Sequence, residues 1–145
     1  MLLQFFAAFL ATAGFCILFN IPKNAIIKSG LAGTAGWIAF TYTNMQFQSM
    51  IFASFVGASV VAIISEIFAR KFKEAVTVFV IPGILPLVPG AGMYQTMLAI
   101  IEKDFAQSAL VGTETMFIAG SIAIAILIVS SITRMITRPH LPDKK

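Results

Sequence analysis

The chain has 145 residues, 59% of them hydrophobic and 11% charged, with ten Lys and Arg against six Asp and Glu for a formal net charge of +4. Ordinary soluble domains are about 25% charged, so a water-facing globule is excluded, because too few polar side chains exist to cover its surface. Fourteen Phe exclude a disordered chain, and a single cysteine, Cys16, excludes an intrachain disulfide.

A membrane span takes about 20 mainly apolar residues. The first candidate runs from Met1 to about Ile21. It lacks a basic leader region, and no small-residue cleavage site precedes Asn20-Ile21-Pro22-Lys23, so it reads as a retained helix rather than a secretion signal. Asn20 and Pro22 supply turn chemistry at its end. The second, about Ser29 to Asn44, is short. It carries Gly30, Gly33 and Gly36 at a spacing of three, with Ala32 and Ala35 between them, which predicts close helix packing. The third covers about Met50 to Ala69. Near its end Glu66 and Arg70 share a helical face at i and i+4, the arrangement of an interfacial ion pair, with ion coupling as the alternative role for Glu66. Ala75 to Ile101 is long enough to cross but is interrupted at its middle by Pro82, Pro86 and Pro89. The last span covers about Ser108 to Ile132.

Cytoplasmic loops collect positive charge, which tests this layout. Five spans put Lys23, Lys28, Arg70, Lys71, Lys73, Arg134, Arg138, Lys144 and Lys145 on one side, nine of the ten basic residues. Only Lys103, between Glu102 and Asp104, falls on the other, and four or six spans would scramble the separation. The basic residues therefore read as topology determinants and anionic-lipid contacts, not as a nucleic-acid surface. The expected fold is an all-α integral membrane protein of five transmembrane helices, the fourth discontinuous. The N-terminus is expected outside and the C-terminus inside, with residues 1–145 forming one transmembrane domain. His140, after Pro139, reads as a solvated residue of the polar tail.

The interrupted span carries the chemistry. Each proline lacks a backbone donor and crowds the carbonyl four residues back, so three within eight positions cannot all lie in an unbroken helix. In hydrocarbon, freed amides and carbonyls must be answered by protein or by a wet cavity. A helix restarting near Pro89 or Gly90 would direct unpaired N–H groups and its positive dipole end toward a carboxylate, the device that secondary transporters build from half-helices. The candidate substrate-binding residues are Pro82, Gly83, Pro86, Pro89, Gly90, Gly92, Tyr94 and Gln95, with Thr96 next in line. The alternative is a proline-kinked helix that only shapes packing.

At these residues the chain resembles a known family. The proline-glycine run from Val80 to Tyr94, the opening Gly14-Phe-Cys-Ile-Leu-Phe-Asn-Ile-Pro22 and the Gly33-Thr-Ala-Gly-Trp37 stretch look like the threonine/serine exporter (ThrE) family, specifically the short subunit of its split, YjjB-like form. The resemblance covers essentially the whole chain. It implies a multi-pass subunit of the bacterial plasma (inner) membrane that works with a larger ThrE-like (YjjP-like) membrane subunit, in a hetero- or homo-oligomer. It also implies export of threonine and serine or of small dicarboxylates such as succinate. No cofactor or metal is implied.

Glu114 lies within the last apolar run. If that helix starts near Ser108, six residues at about 1.5 Å each put the carboxylate roughly 9 Å below its outer end, and an acid inside a span is a proton-relay or substrate-partner candidate. If the helix begins near Thr115, Glu114 sits at a wet end instead. The leading function is thus a subunit of a small-carboxylate exporter, with Glu114 as ion-coupling candidate. A non-transporting membrane scaffold is the second reading. An intramembrane enzyme is the weakest, since the sequence offers no His-based metal cluster and no visible base for Cys16 or a serine.

Overall fold

The computed structural model of the chain describes residues 2–136. Arg138, Pro139, His140, Lys144 and Lys145 lie outside the described residues. Within them the chain is all α: α1 (Leu2–Leu18), α2 (Lys23–Phe47), α3 (Met50–Phe72), α4 (Thr77–Ile84), a 3₁₀ turn over Leu85–Leu87, α5 (Gly90–Ile101) and α6 (Phe105–Ile136).

By length and apolarity α3 and α6 can each cross a membrane, and so can the pair formed by Thr77–Leu87 and Gly90–Ile101, bent by 55°, if it is one broken span. α1 is a shorter apolar helix, about 25 Å long at 1.5 Å per residue. α2 is longer than its apolar stretch. The sequence places its start at Ser29, but the helix begins at Lys23, directly after Pro22 in an extended conformation. Lys23 and Lys28 therefore ride on the first two turns of a helix and not in a loop. Lys28 is accommodated because its ammonium sits 3.3 Å from the centroid of the Phe72 ring on α3, a cation–π contact.

Helix ends use residues other than glycine in the left-handed region: Asn20 (φ 53°), Gln48 (φ 48°), Lys73 (φ 57°) and Lys103 (φ 62°). After three of them the next amide reaches back to close the helix, Ile21 to Cys16 O, Glu74 to Ala69 O and Asp104 to Ala99 O, at 2.9 to 3.1 Å, which answers carbonyls that the helix leaves open. Asp104 then starts α6 by accepting from the Gln107 amide at 3.0 Å, an N-cap.

The core is organised around the three glycines of α2, and each admits a different neighbour. A Cβ on Gly30 would meet the Phe9 ring of α1 at 2.6 Å; one on Gly33 would meet Thr12 Oγ1 of α1 at 2.5 Å and Gly83 O of α4 at 3.1 Å. One on Gly36 would collide with Val61 of α3 and lie 3.0 Å from Gly57 O. Val61 is wedged between two glycines, since a Cβ on Gly83 would also meet it, at 2.9 Å. The packing expected from the glycine spacing is thus present, and backbone-to-backbone approach of this kind holds helices together where apolar burial gives little driving force. Around this contact Ala58, Val61, Ile84, Leu87, Ile118, Ile122 and Ala125 form the main buried cluster, with Ala25, Ala69 and Phe79 in a second.

Several buried or part-buried hydroxyls turn back on their own helix: Thr12 donates to Ala8 O, Thr34 to Gly30 O, Thr96 to Gly92 O and Thr115 to Val111 O, at 2.7 to 2.9 Å. Ser65 Oγ is fully buried and has no hydrogen-bond partner among the described residues. At the far end of α3, Arg70 pairs with Glu66 at 3.8 Å and donates to Thr133 O of α6 at 3.1 Å. The ion pair expected from the sequence forms, and it also ties α3 to α6.

Candidate functional site

The proline-rich segment divides into two parts with different surroundings. Pro82 stays inside α4, fully buried. Its missing amide would have bonded the Val78 carbonyl four residues back, and that carbonyl instead accepts the Ser29 hydroxyl of α2 at 3.2 Å. Gly83 packs on Gly33 one turn further along. This first part is a helix-packing joint.

The chain leaves the helix beyond Ile84. Leu85–Leu87 tighten into a 3₁₀ turn, Val88 is extended (φ −63°, ψ 130°) and Pro89 (φ −77°, ψ 59°) precedes α5. The Val88 amide donates to Leu85 O at 3.2 Å, Gly90 to Val88 O at 2.8 Å and Met93 to Pro89 O at 3.1 Å. That leaves the Ala91 and Gly92 amides, in the first turn of α5, as the donors that begin the helix.

Two cavities flank the opening. One of about 180 Å³ is lined by Trp37 and Phe40 of α2, Met50 and Ser54 of α3, residues 86–89 and Ile118 of α6. The other, about 300 Å³, lies against α1 and is lined by Gln4, Ala7, Ala8, Ala11, Trp37 and Pro86. Trp37 and Pro86 line both. The Trp37 and Phe40 rings stand 5.4 Å apart. No charged side chain lines either cavity, so a charged ligand here would depend on backbone amides, the Ser54 hydroxyl and groups from elsewhere.

The sequence-selected residues thus separate by position. Pro82 and Gly83 belong to the packing joint; Pro86 and Pro89 line the cavity; Gly90, Tyr94 and Gln95 are exposed on α5. Gly92 faces α6, where a Cβ would collide with Thr115. Sequence reasoning did not single out Trp37, Ser54 or Gln4 as lining residues. Trp37, the single tryptophan, carried a signal as the end of the Gly33 to Trp37 stretch. Ser54 and Gln4 carried none, because their role comes from which helices meet.

Glu114 is an exposed residue of α6 in a surface groove with Ile51, Ala109, Leu110, Thr113 and Phe117. The helix begins at Phe105, three residues before the expected start, because Asp104 caps it; a start at Thr115 is excluded. Nine residues put Glu114 about 13 Å along the helix.

Residues 4–132 match the family model described as Threonine/Serine exporter, ThrE. The chain belongs to the threonine/serine exporter family. A threonine/serine exporter of Corynebacterium glutamicum is 24% identical over 127 residues, 88% of this chain and 26% of that protein. An uncharacterised protein of Haemophilus influenzae is 23% identical over 97 residues, 67% of this chain and 32% of its own length. The chain thus spans about a quarter to a third of these relatives. No solved structure matches it. Its apolar helices are those of a membrane protein, and its family is an exporter family.

Proposed function

We propose that the chain is one subunit of a secondary transporter that exports small carboxylates, threonine and serine first among them, together with a larger ThrE-like membrane subunit. A dicarboxylate of the succinate type is the alternative cargo. The observation that carries the reading is the opened backbone of Val88 and Pro89, which lines a cavity with Trp37 and Ser54 directly before a helix start. In this reading the Ala91 and Gly92 amides and the dipole of α5 hold the substrate carboxylate, while Tyr94 and Gln95 face the partner or the substrate path.

The membrane arrangement proposed with it has five crossings, α4 and α5 together forming the fourth. The N-terminus lies outside and the C-terminus inside, in the bacterial plasma membrane. The separation of basic residues supports this direction: Arg70, Lys71 and Lys73 share one end of the bundle with Arg134, and Lys103 lies at the other. Glu114, near the outer end, takes up a proton from that side as substrate leaves.

Purified chain and larger subunit, reconstituted together in vesicles, are expected to move threonine, serine or a dicarboxylate, and neither alone is. The scaffold reading keeps one observation in its favour, since Pro82 and Gly83 are used for packing. It requires that export and assembly fail together whenever the break is altered.

A further inference from the structure

We infer that Ser54 is the residue through which the transporter distinguishes hydroxyl-bearing amino acids from their hydroxyl-free counterparts; the inference rests on the export reading above. Ser54 stands in the second turn of α3, one turn beyond Met50 and on the same face. Both line the cavity of about 180 Å³ at the break, with Trp37, Phe40, residues 86–89 and Ile118. Three residues further along, a Cβ at Gly57 would lie 3.0 Å from Phe40 Cβ and 3.3 Å from Leu87 Cδ1. The face of α3 that carries Ser54 is therefore pressed against both α2 and the opened segment.

The state of its hydroxyl singles Ser54 out. A serine inside a helix commonly turns its hydroxyl back to the carbonyl four residues earlier, as Ser59 of the same helix does to Phe55 O at 2.8 Å. Ser54 does not. It is 1% exposed, and its hydroxyl has no hydrogen-bond partner among the described residues. Ser65 is also buried without a partner, but it lines neither cavity at the break. A hydroxyl withheld from water and from its own helix is costly unless something answers it. At Ser54 the adjoining space is the cavity, so the answer comes from what enters there.

The surroundings suit the rest of a small amino acid. The Ala91 and Gly92 amides at the start of α5 offer donors to a carboxylate. In a continuous helix the Gly90 amide would reach Pro86 O and the Ala91 amide Leu87 O. The Gly90 amide bonds Val88 O instead and the Ala91 amide is free, so both carbonyls are open to an ammonium group, the use that transporters make of unwound backbone. Phe40, Leu87 and Ile118 supply apolar wall. With the two charged ends held by backbone, the Ser54 hydroxyl is left for the side chain. It can both accept from and donate to a hydroxyl on the substrate, whereas a hydrogen in that place leaves Ser54 unanswered. A site that hydrogen-bonds a substrate hydroxyl rejects the analogue lacking it for this reason.

The test uses vesicles that hold both subunits and compares export of serine with alanine, and of threonine with 2-aminobutyrate, pairs that differ by the hydroxyl alone. The unmodified transporter is expected to favour the hydroxyl-bearing member about tenfold or more, the effect of one hydrogen bond. Ser54→Ala is expected to bring that ratio close to one while alanine export keeps its rate. Each ratio is read within one preparation, so altered folding or assembly changes both rates and leaves the ratio as it was. Ser65→Ala is the comparison and should leave both ratios unchanged. A preference that survives Ser54→Ala, or an unmodified transporter without the preference, overturns the inference and leaves the export reading standing. Loss of all export in Ser54→Ala also overturns it, because the inferred role spares alanine. Vesicles with the unmodified subunits that export none of the four overturn the amino-acid export reading itself, and the inference with it.

Discussion

The Ser29 hydroxyl donates to the Val78 carbonyl at 3.2 Å, and Val78 is the residue whose carbonyl Pro82 deprives of its helical partner. One helix thereby answers a polar group that a proline in another has opened, and α2 is locked to α4 beside the Gly33 to Gly83 contact.

Ser29→Ala should therefore destabilise the protein by about 1 kcal/mol, the cost of a part-buried acceptor left without a donor. In a Pro82→Ala background, where residue 82 regains its amide, the same change should cost well under about 1 kcal/mol. Ser65→Ala is the contrast. Its hydroxyl is buried without a partner, so removal should be neutral or stabilising. Thermal unfolding in detergent reads all three, and equal costs for Ser29→Ala in both backgrounds would contradict the assignment.

Gly33→Ala and Gly36→Ala should each cost about 1 to 3 kcal/mol through overpacking, because the added methyl meets Thr12 and Gly83 in one case and Val61 in the other. At Gly14 and Gly120 a Cβ meets nothing within 4 Å, so alanine there should be neutral or gain up to about 1 kcal/mol in helix propensity. The same unfolding assay compares the four.

These glycines also show how far the sequence is legible. Spacing three on α2 announced close packing, but the spacing could not say that Gly30 and Gly33 would face α1, Gly33 also α4, and Gly36 α3. The prolines announced an opened backbone between α4 and α5. They did not distinguish Pro82, which stays helical because Ser29 answers its carbonyl, from Pro86 and Pro89, where the helix ends. The start of α2 was hidden because Lys23 and Lys28 look like loop residues until Phe72 is found beneath Lys28. Glu114 was placed on the right helix, but its depth depends on where α3 begins beside it, which only the packed bundle reveals.

Arg70→Ala should weaken the protein more than Glu66→Gln, since it removes both the ion pair and the bond to Thr133 O. Arg70 is 44% exposed, so the ion pair itself should contribute no more than about 1 kcal/mol, and less at high salt. Unfolding at low and high ionic strength measures both differences.

Glu114→Gln should leave assembly with the larger subunit intact and make export insensitive to an imposed pH gradient. Export that keeps its full dependence on the gradient removes Glu114 from coupling and moves the titrating acid to the partner.

The central claim is that the helix start after the break binds the substrate carboxylate, and Gly90→Val tests it most directly. A side chain at Gly90 meets no atom within 4 Å, so packing within this chain has no reason to change, while the first turn of α5 becomes crowded for a ligand. With both subunits in vesicles, the variant is expected to assemble normally and to export threonine or serine at least about tenfold more slowly, as loss of about 1.4 kcal/mol of binding produces. Export at the unmodified rate, or export and assembly declining together, would contradict it.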